Sequence, residues 1–204
     1  MPEKDTYKTI AKPSEEVIYK DKGSKFLGYA YPLQNEEQVK PIIDILKKQH
    51  HKARHWCYAW QLGVETSQFR ANDDGEPTNS AGQPIYGQIL SKDLTNVLIV
   101  VVRYFGGTKL GVGGLVMAYK TTAQMALDAS VIIEKTIEVQ FKLIFDYQYM
   151  NVAMRVIKEH DIAIVNQNSA MQCELIIAIR KKNAEKVKEV FGALHHVSLK
   201  EITP

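Results

Sequence analysis

The part of this sequence best suited to chemistry is an apolar, strand-like run that ends Arg103-Tyr-Phe-Gly-Gly-Thr-Lys-Leu-Gly111. It continues through Gly113 and Gly114 into a stretch rich in Ala, Met and Leu. Glycines this dense indicate positive φ angles or a partner held close to the backbone. With Tyr104, Thr108 and Lys109 among them, and backbone N–H groups free where the next helix starts, the segment has the donors to hold a phosphate or a carboxylate. Every helix start exposes such donors, so a tight return of the chain over a sheet explains the glycines equally well. Established nucleotide loops do not fit. The Walker pattern needs Lys and Ser/Thr directly after its last glycine, and Gly111 is followed by Val112 and Gly113. The dinucleotide fingerprint fails at its sixth place, and a kinase-type loop would need hydroxyls where Gly113 and Gly114 stand.

Two further groups carry reactive side chains. Asp73, Asp74 and Glu76, in Asp73-Asp-Gly-Glu-Pro77, could bind a hard cation or meet a basic partner, but they lack the alternating oxygens and distant Glu of an EF-hand. An acidic turn held by Asx hydrogen bonds is the plainer account. His50, His51 and His55 lie close together, but Lys52-Ala-Arg54 fills the space where a zinc protease carries its glutamate, so no zinc site is expected. His55, beside the aromatic run Trp56-Cys-Tyr-Ala-Trp60, is the histidine that would face a site. Neither a serine-hydrolase elbow nor an activated cysteine is evident. No cofactor or metal is implied. Trp56, Tyr58, Trp60 and Tyr104 offer stacking faces for single-stranded nucleic acid, with aromatic content as the sole support.

The elements that must position these residues follow from period and punctuation. Residues 16–20 and 25–31 read as a hairpin about Asp21-Lys-Gly23, and Asn35 with Glu36 and Glu37 signals a helix over 36–48. Residues 55–62 form a third strand, and 94–105 a fourth whose unbroken Val/Ile/Leu character predicts a central, doubly buried strand. Residues 70–78 read as a polar loop, 80–90 as a helix despite Pro84, and 115–129 as a buried helix. From Lys135 the pattern restarts: strand 137–145, helix 148–160, strands 162–166 and 170–179, helix 184–195, strand 197–202. That order is βαββαβ, the ferredoxin-like arrangement. The predicted class is α+β, with domains over 1–134 and 135–204. Arg180-Lys-Lys182 with Lys186 and Lys188 forms a basic corner in the second domain, read as a solvated one.

Composition narrows the function classes. Hydrophobic residues make 45% and charged residues 24% of 204, the balance of a globular protein, and the polar start of the chain predicts neither secretory signal nor membrane anchor. The apolar run 97–102 is too short to span a bilayer. Cys57 and Cys173, each inside an apolar run, predict buried free thiols and a cytoplasmic protein. A net charge of +3 is too small to drive nucleic-acid binding except through a local patch.

Four segments together resemble the IMPACT/YigZ family: Ala53-Arg-His-Trp-Cys-Tyr-Ala-Trp60, Asp73-Asp-Gly-Glu-Pro-Thr-Asn-Ser-Ala-Gly-Gln-Pro-Ile85, Val100-Val-Val-Arg-Tyr-Phe-Gly-Gly-Thr-Lys-Leu-Gly111 and Gly113-Gly-Leu-Val-Met-Ala-Tyr119. Thr78-Asn79-Ser80 departs from the small residue, Gly and Thr usual there. The resemblance implies a first domain similar to the second domain of ribosomal protein S-five and a second similar to the last domain of elongation factor G. It also implies a binding protein tied to translation regulation, with the ribosome, RNA or a translation-regulatory protein as partner and no membrane. The alternative is a phosphate-ligand enzyme, kinase-like or hydrolytic, using Arg103, Lys109 and the glycine amides on an anion and Asp73, Asp74 or Glu76 on Mg²⁺.

Overall fold

The computed structural model describes residues 5–64, 66–169 and 172–202. The chain divides into two compact units, Tyr7–Lys135 and Thr136–Pro204 together with Met1–Thr6.

The first unit is built on a five-stranded antiparallel sheet. Its strands are β2 (Val17–Asp21), β3 (Ser24–Pro32), β4 (His55–Leu62), β5 (Gln68–Asn72) and β6 (Val97–Tyr104), in the order β2-β3-β6-β4-β5. A short β1 (Thr6–Ile10) pairs with β7 (Ile132–Thr136) in a separate two-stranded sheet. The central position of β6 agrees with its composition, since every residue from Val97 to Arg103 is buried. Helix α1 (Val39–Gln49) covers one face, over Leu27, Leu98, Val100 and Val102. Helices α2 (Gly82–Ser91) and α3 (Gly111–Asp128) cover the other, over Phe26, Ala30, Cys57, Ala59, Ile99 and Val101. Each fully buried aliphatic side chain contributes about 1.5–3 kcal/mol of transfer free energy, so β6 is the unit's main anchor.

Local chemistry explains the helix starts. Asn35 caps a 3₁₀ turn ahead of α1, its side chain accepting from the Gln38 amide at 3.2 Å. Pro84 is tolerated because it lies in the first turn of α2, where its missing N–H would have no helical partner. Helix α3 starts at Gly111 rather than at the expected Leu115, absorbing three glycines into its first turn. The loop expected over 70–78 is a strand up to Asn72. β5 is an edge strand with its first residues exposed, so burial imposes no apolar alternation on it.

In the second unit β8 (Glu138–Asp146), α4 (Met150–Glu159), β9 (Ala163–Ser169), β10 (Gln172–Arg180), α5 (Ala184–Gly192) and β11 (Val197–Ile202) follow the expected βαββαβ order. The strand order is β11-β8-β10-β9, antiparallel throughout. The first residues of the strand expected over 170–179, 170 and 171, lie outside the described residues. Phe141, Leu143, Phe145, Leu175 and Ile177 meet Ala153, Val156, Ile157, Val187 and Phe191 in one core. The basic corner is partly neutralised: Arg180 Nε lies 2.6 Å from the Asp5 carboxylate, and Lys188 pairs with Glu185 and Glu201. Both cysteines are buried thiols outside any disulfide among the described residues, as their surroundings predict. Among the described residues no helix is long and apolar enough to cross a membrane.

Candidate functional site

Strand register brings the sequence-level candidates together. His55 opens β4 and lies directly opposite Arg103 near the end of β6, so both side chains emerge on the face that carries α3. The 72–82 connection folds back over this pair through backbone bonds that its own carboxylates organise. Asp73 Oδ1 accepts from the amides of Ala81 and Gly82 at 3.0 and 2.8 Å, and its Oδ2 from that of Asn79 at 2.9 Å. It thus satisfies the open amides at the N-terminus of α2 from nine residues upstream of Gly82. Asp74 receives the Trp56 amide at 2.7 Å, its own amide donates to Asn72 Oδ1 at 2.8 Å, and its φ of 42° sets the turn before Gly75 at φ 86°.

Those bonds aim Glu76 inward. Its carboxylate, with a side chain 4% exposed, lies 2.6 Å from Arg103 Nη1 and accepts the Tyr119 hydroxyl at 2.7 Å. His55 donates from Nδ1 to the Asp74 carbonyl at 2.9 Å, which fixes a proton there and leaves Nε2 facing Glu76 at 4.0 Å. Arg103 is 5% exposed, and its guanidinium sits 5.4 Å from the Phe26 ring centroid and 5.6 Å from that of Phe105. Cys57 Sγ donates to the Asp73 carbonyl at 3.0 Å and lies 3.3 Å from the Tyr119 hydroxyl. Burial first, and then the neighbouring carboxylates, raise the Cys57 thiol well above its ordinary range, so it is held as an inert thiol. Burial also raises the Tyr119 hydroxyl, which stays a donor.

Arg103, His55 and the 73–77 loop therefore share one cluster, but the remaining candidates divide. A cavity of about 340 Å³ lies beside it, lined by Glu76, Pro77, Arg103, Phe105, Lys109 and the first residues of α3. Gly111 belongs to that lining, while Thr108 and Gly107 are exposed and Gly113 has open space where a side chain would stand. Gly106 and Gly114 answer to packing. A Cβ on Gly106 would fall 1.9 Å from the Gly23 carbonyl carbon, and one on Gly114 2.9 Å from Leu110 Cβ. Tyr104 is not in the cluster: one residue beyond Arg103, it points to the opposite face and meets His50 Nδ1 at 3.0 Å. Phe105 and Tyr119 were missed as site residues. The signal for Tyr119 was present, the one phenol of α3, two turns in and in helical register with the apolar Leu115 and Ala126. Among the described residues there is no group of three His, Cys, Asp or Glu arranged to hold a metal.

Fold and cluster define a two-unit α+β protein in which a glycine-rich strand end and an acidic loop are locked together by a buried ion pair. A family model described as "Impact N-terminal domain" matches residues 22–127. An IMPACT family member of Haemophilus influenzae is 32% identical over 85% of this chain and 86% of its own length. The IMPACT family member YigZ of Escherichia coli is 31% identical over 74% of this chain and 76% of its own. A crystal structure of a hypothetical protein superposes with a TM-score of 0.73 at 26% identity, covering 98% of both chains. The chain belongs to the IMPACT family.

Proposed function

We propose that this protein is a non-enzymatic, cytoplasmic binding protein linked to translation regulation, which contacts the ribosome, RNA or a translation factor through the rim of the 103–114 segment. The observation that carries this reading is the internal use of the charges. Glu76 is engaged by Arg103 and Tyr119, Asp73 by three backbone amides and Asp74 by the Trp56 amide. What faces outward is Phe105, 47% exposed, with Lys109, Val112 and the amides at the start of α3, a surface with one cation and apolar neighbours. Such a surface recognises a partner, and the carboxylates beside it are already engaged by other groups of the fold. Family membership supports the link to translation, and the βαββαβ unit is compatible with a likeness to the last domain of elongation factor G. A first domain like the second domain of ribosomal protein S-five, with the division at 134/135, belongs to the same proposal.

Co-sedimentation with ribosomes at moderate salt tests it. The protein should move into the ribosomal pellet, and Lys109→Glu with Phe105→Ser should return it to the supernatant. A protein that stays in the supernatant in growing and stressed extracts alike would overturn the reading. One observation favours the second reading, a phosphate-ligand enzyme: Arg103, Lys109 and the α3 start line the same cavity. Thermal stabilisation by nucleotide and Mg²⁺ would be required of it, because a ligand bound to the native state raises apparent stability.

A further inference from the structure

A row of like charges stands at one end of the five-stranded sheet, on the side that carries α1. Lys20 lies directly opposite Lys25 across the β2–β3 hairpin, and Lys25 directly opposite Tyr104 of β6, so strand alternation puts all three side chains on one face. Facing residues of this kind have Cβ atoms roughly 4.5–5.5 Å apart, and a pair of like charges there opposes folding. Asp21, next in sequence, turns to the other face with Val17 and Tyr19. The repulsion between the two lysines is therefore a cost that the fold itself does not offset.

Beyond Tyr104 the charge continues. His50 Nδ1 lies 3.0 Å from the Tyr104 hydroxyl, and the Arg54 amide donates to the Arg103 carbonyl at 3.2 Å. The turn that leaves α1 is thus pinned at both ends to the last residues of β6. That turn and the end of α1 carry Lys47, Lys48, Lys52 and Arg54, all exposed, and between Asp44 and Glu65 the sequence holds no acidic residue. Lys47 and Lys48 complement the negative end of α1, and Lys47 lies 5.4 Å from the Trp56 ring centroid. Lys20, Lys25, Lys52 and Arg54 have neither an ion pair nor a ring contact among the described residues.

The neighbouring carboxylates do not balance this set. Asp44 is matched by Lys40 at 2.7 Å. Glu16, bonded to the Tyr29 hydroxyl, and Asp74, bonded to the Trp56 amide, offset two of the six cations at full charge and leave four. The whole chain carries only +3, so this patch concentrates more than the entire net charge. A polyanion laid along the row relieves the lysine repulsion and releases counterions. Five of the six cations are lysines, point charges without the bidentate fork that selects carboxylates. At their centre stands Tyr104, half-buried and bonded to His50, a ring on which a base can stack whatever its sequence. We infer that the Lys20–Lys25–Tyr104 row and the 47–54 turn form a binding surface for single-stranded nucleic acid, with phosphates on the cations and a base against Tyr104. It lies on the face opposite Arg103 and does not depend on the rim of the 103–114 segment.

Fluorescence anisotropy of a labelled deca-uridylate at about 50 mM salt is the test. Affinity should fall with salt at a log–log slope between about −2 and about −4, the range for roughly three to six phosphates neutralised on a single strand. Lys20→Ala with Lys25→Ala should lower affinity roughly eightfold per cation and flatten the slope by about 1.4. Lys20→Glu places opposite charges across the hairpin, so the urea midpoint should hold or rise while binding is lost, which separates the surface from the fold. Tyr104→Leu should weaken binding roughly five- to hundredfold at unchanged slope, and Tyr104→Phe should restore it. No binding at about 100 μM protein overturns the inference. So does an affinity that survives the lysine substitutions, or a Tyr104→Leu variant that binds as tightly as the parent. Equal capture of a labelled deca-glutamate overturns it as well, since the patch is then a surface for acidic proteins. Lys109→Glu with Phe105→Ser should leave this binding intact. At roughly 10⁻⁴–10⁻⁶ M in physiological salt it is too weak to hold the protein in a ribosomal pellet, so it and the ribosomal reading fail separately.

Discussion

Glu76→Ala isolates the physics of the buried cluster. The substitution removes the one carboxylate bonded to Arg103 among the described residues, whose side chain is 6% exposed, and strands the guanidinium Nη1 now 2.6 Å from its acceptor. Arg103 Nε is already buried without a partner among the described residues, so the cation has little to fall back on. Breaking a buried pair from one side costs about 3–5 kcal/mol, because a charge is left desolvated and uncompensated. Tyr119 also loses its acceptor and retains only Cys57 Sγ, 3.3 Å away, which places the expected loss at about 4 kcal/mol, in the middle of that range. Glu76→Gln keeps a neutral acceptor and should cost about half as much. Arg103→Met in the Glu76→Ala background removes the stranded charge, and the double variant should recover about 2 kcal/mol relative to the sum of the singles. Urea unfolding followed by tryptophan emission is the assay, since both tryptophans belong to the Tyr7–Lys135 unit. A loss below about 1 kcal/mol for Glu76→Ala, or strict additivity in the cycle, would refute the claim that this ion pair locks the acidic loop to β6.

Two further predictions concern the glycines and the alkaline limb. Gly106→Ala should destabilise by about 1–3 kcal/mol or more, since its Cβ would meet the Gly23 backbone at 1.9 Å. Gly113→Ala meets nothing and should be neutral or stabilising by up to about 1 kcal/mol in the same unfolding assay. If Gly113→Ala nonetheless abolishes ribosome co-sedimentation, that glycine serves a partner and not the fold. Burial raises Tyr119 and Tyr29 above the ordinary 10.0 of a phenol and Cys57 above the ordinary 9.0 of a thiol, and the Glu16 carboxylate, which accepts the Tyr29 hydroxyl, adds to the shift there. Below those ordinary values all three are protonated in both states and their contribution is fully present. Above them the unfolded chain releases protons that the folded one retains, so stability falls as pH rises, by up to about 1.4 kcal/mol per pH unit for each group. Urea midpoints between about pH 8 and about pH 10.5 should decline, and Tyr119→Phe should flatten the decline; equal slopes would remove Tyr119 as a cause.

How far the sequence could be read depended on how locally each feature is caused. The β2–β3 hairpin, β4, β11 and the βαββαβ order were legible because burial imposes period 2 or 3.6 on their side chains, and β6 because burial on both faces gives it an unbroken apolar run. β1, β5 and β7 were not: all three are short, β5 and β7 are largely exposed and β1 is buried only at Thr9 and Ile10, so pairing partners distant in sequence decide them. The start of α3 was set four residues late because glycines read as a loop, whereas here they are the price of close packing against Leu110 and of an open first turn.

The site shows the same division more sharply. The residues of the acidic turn were legible as a turn, and the Asx bond between Asn72 and the Asp74 amide is the local chemistry that such a reading anticipates. No sequence rule assigns Asp73 to the first amides of α2, Asp74 to a β4 amide and Glu76 to a β6 arginine, because each partner is chosen by the fold and not by spacing. The side chains that looked most available for a cation are thereby the ones the fold uses to close itself. The neighbouring Tyr104, which the linear segment grouped with Arg103, is sent by strand alternation to the face where α1 packs. One segment therefore serves two surfaces, a charged cluster under the acidic loop on one side and an aromatic face behind it, and a substitution at β6 that shifts register would damage both at once.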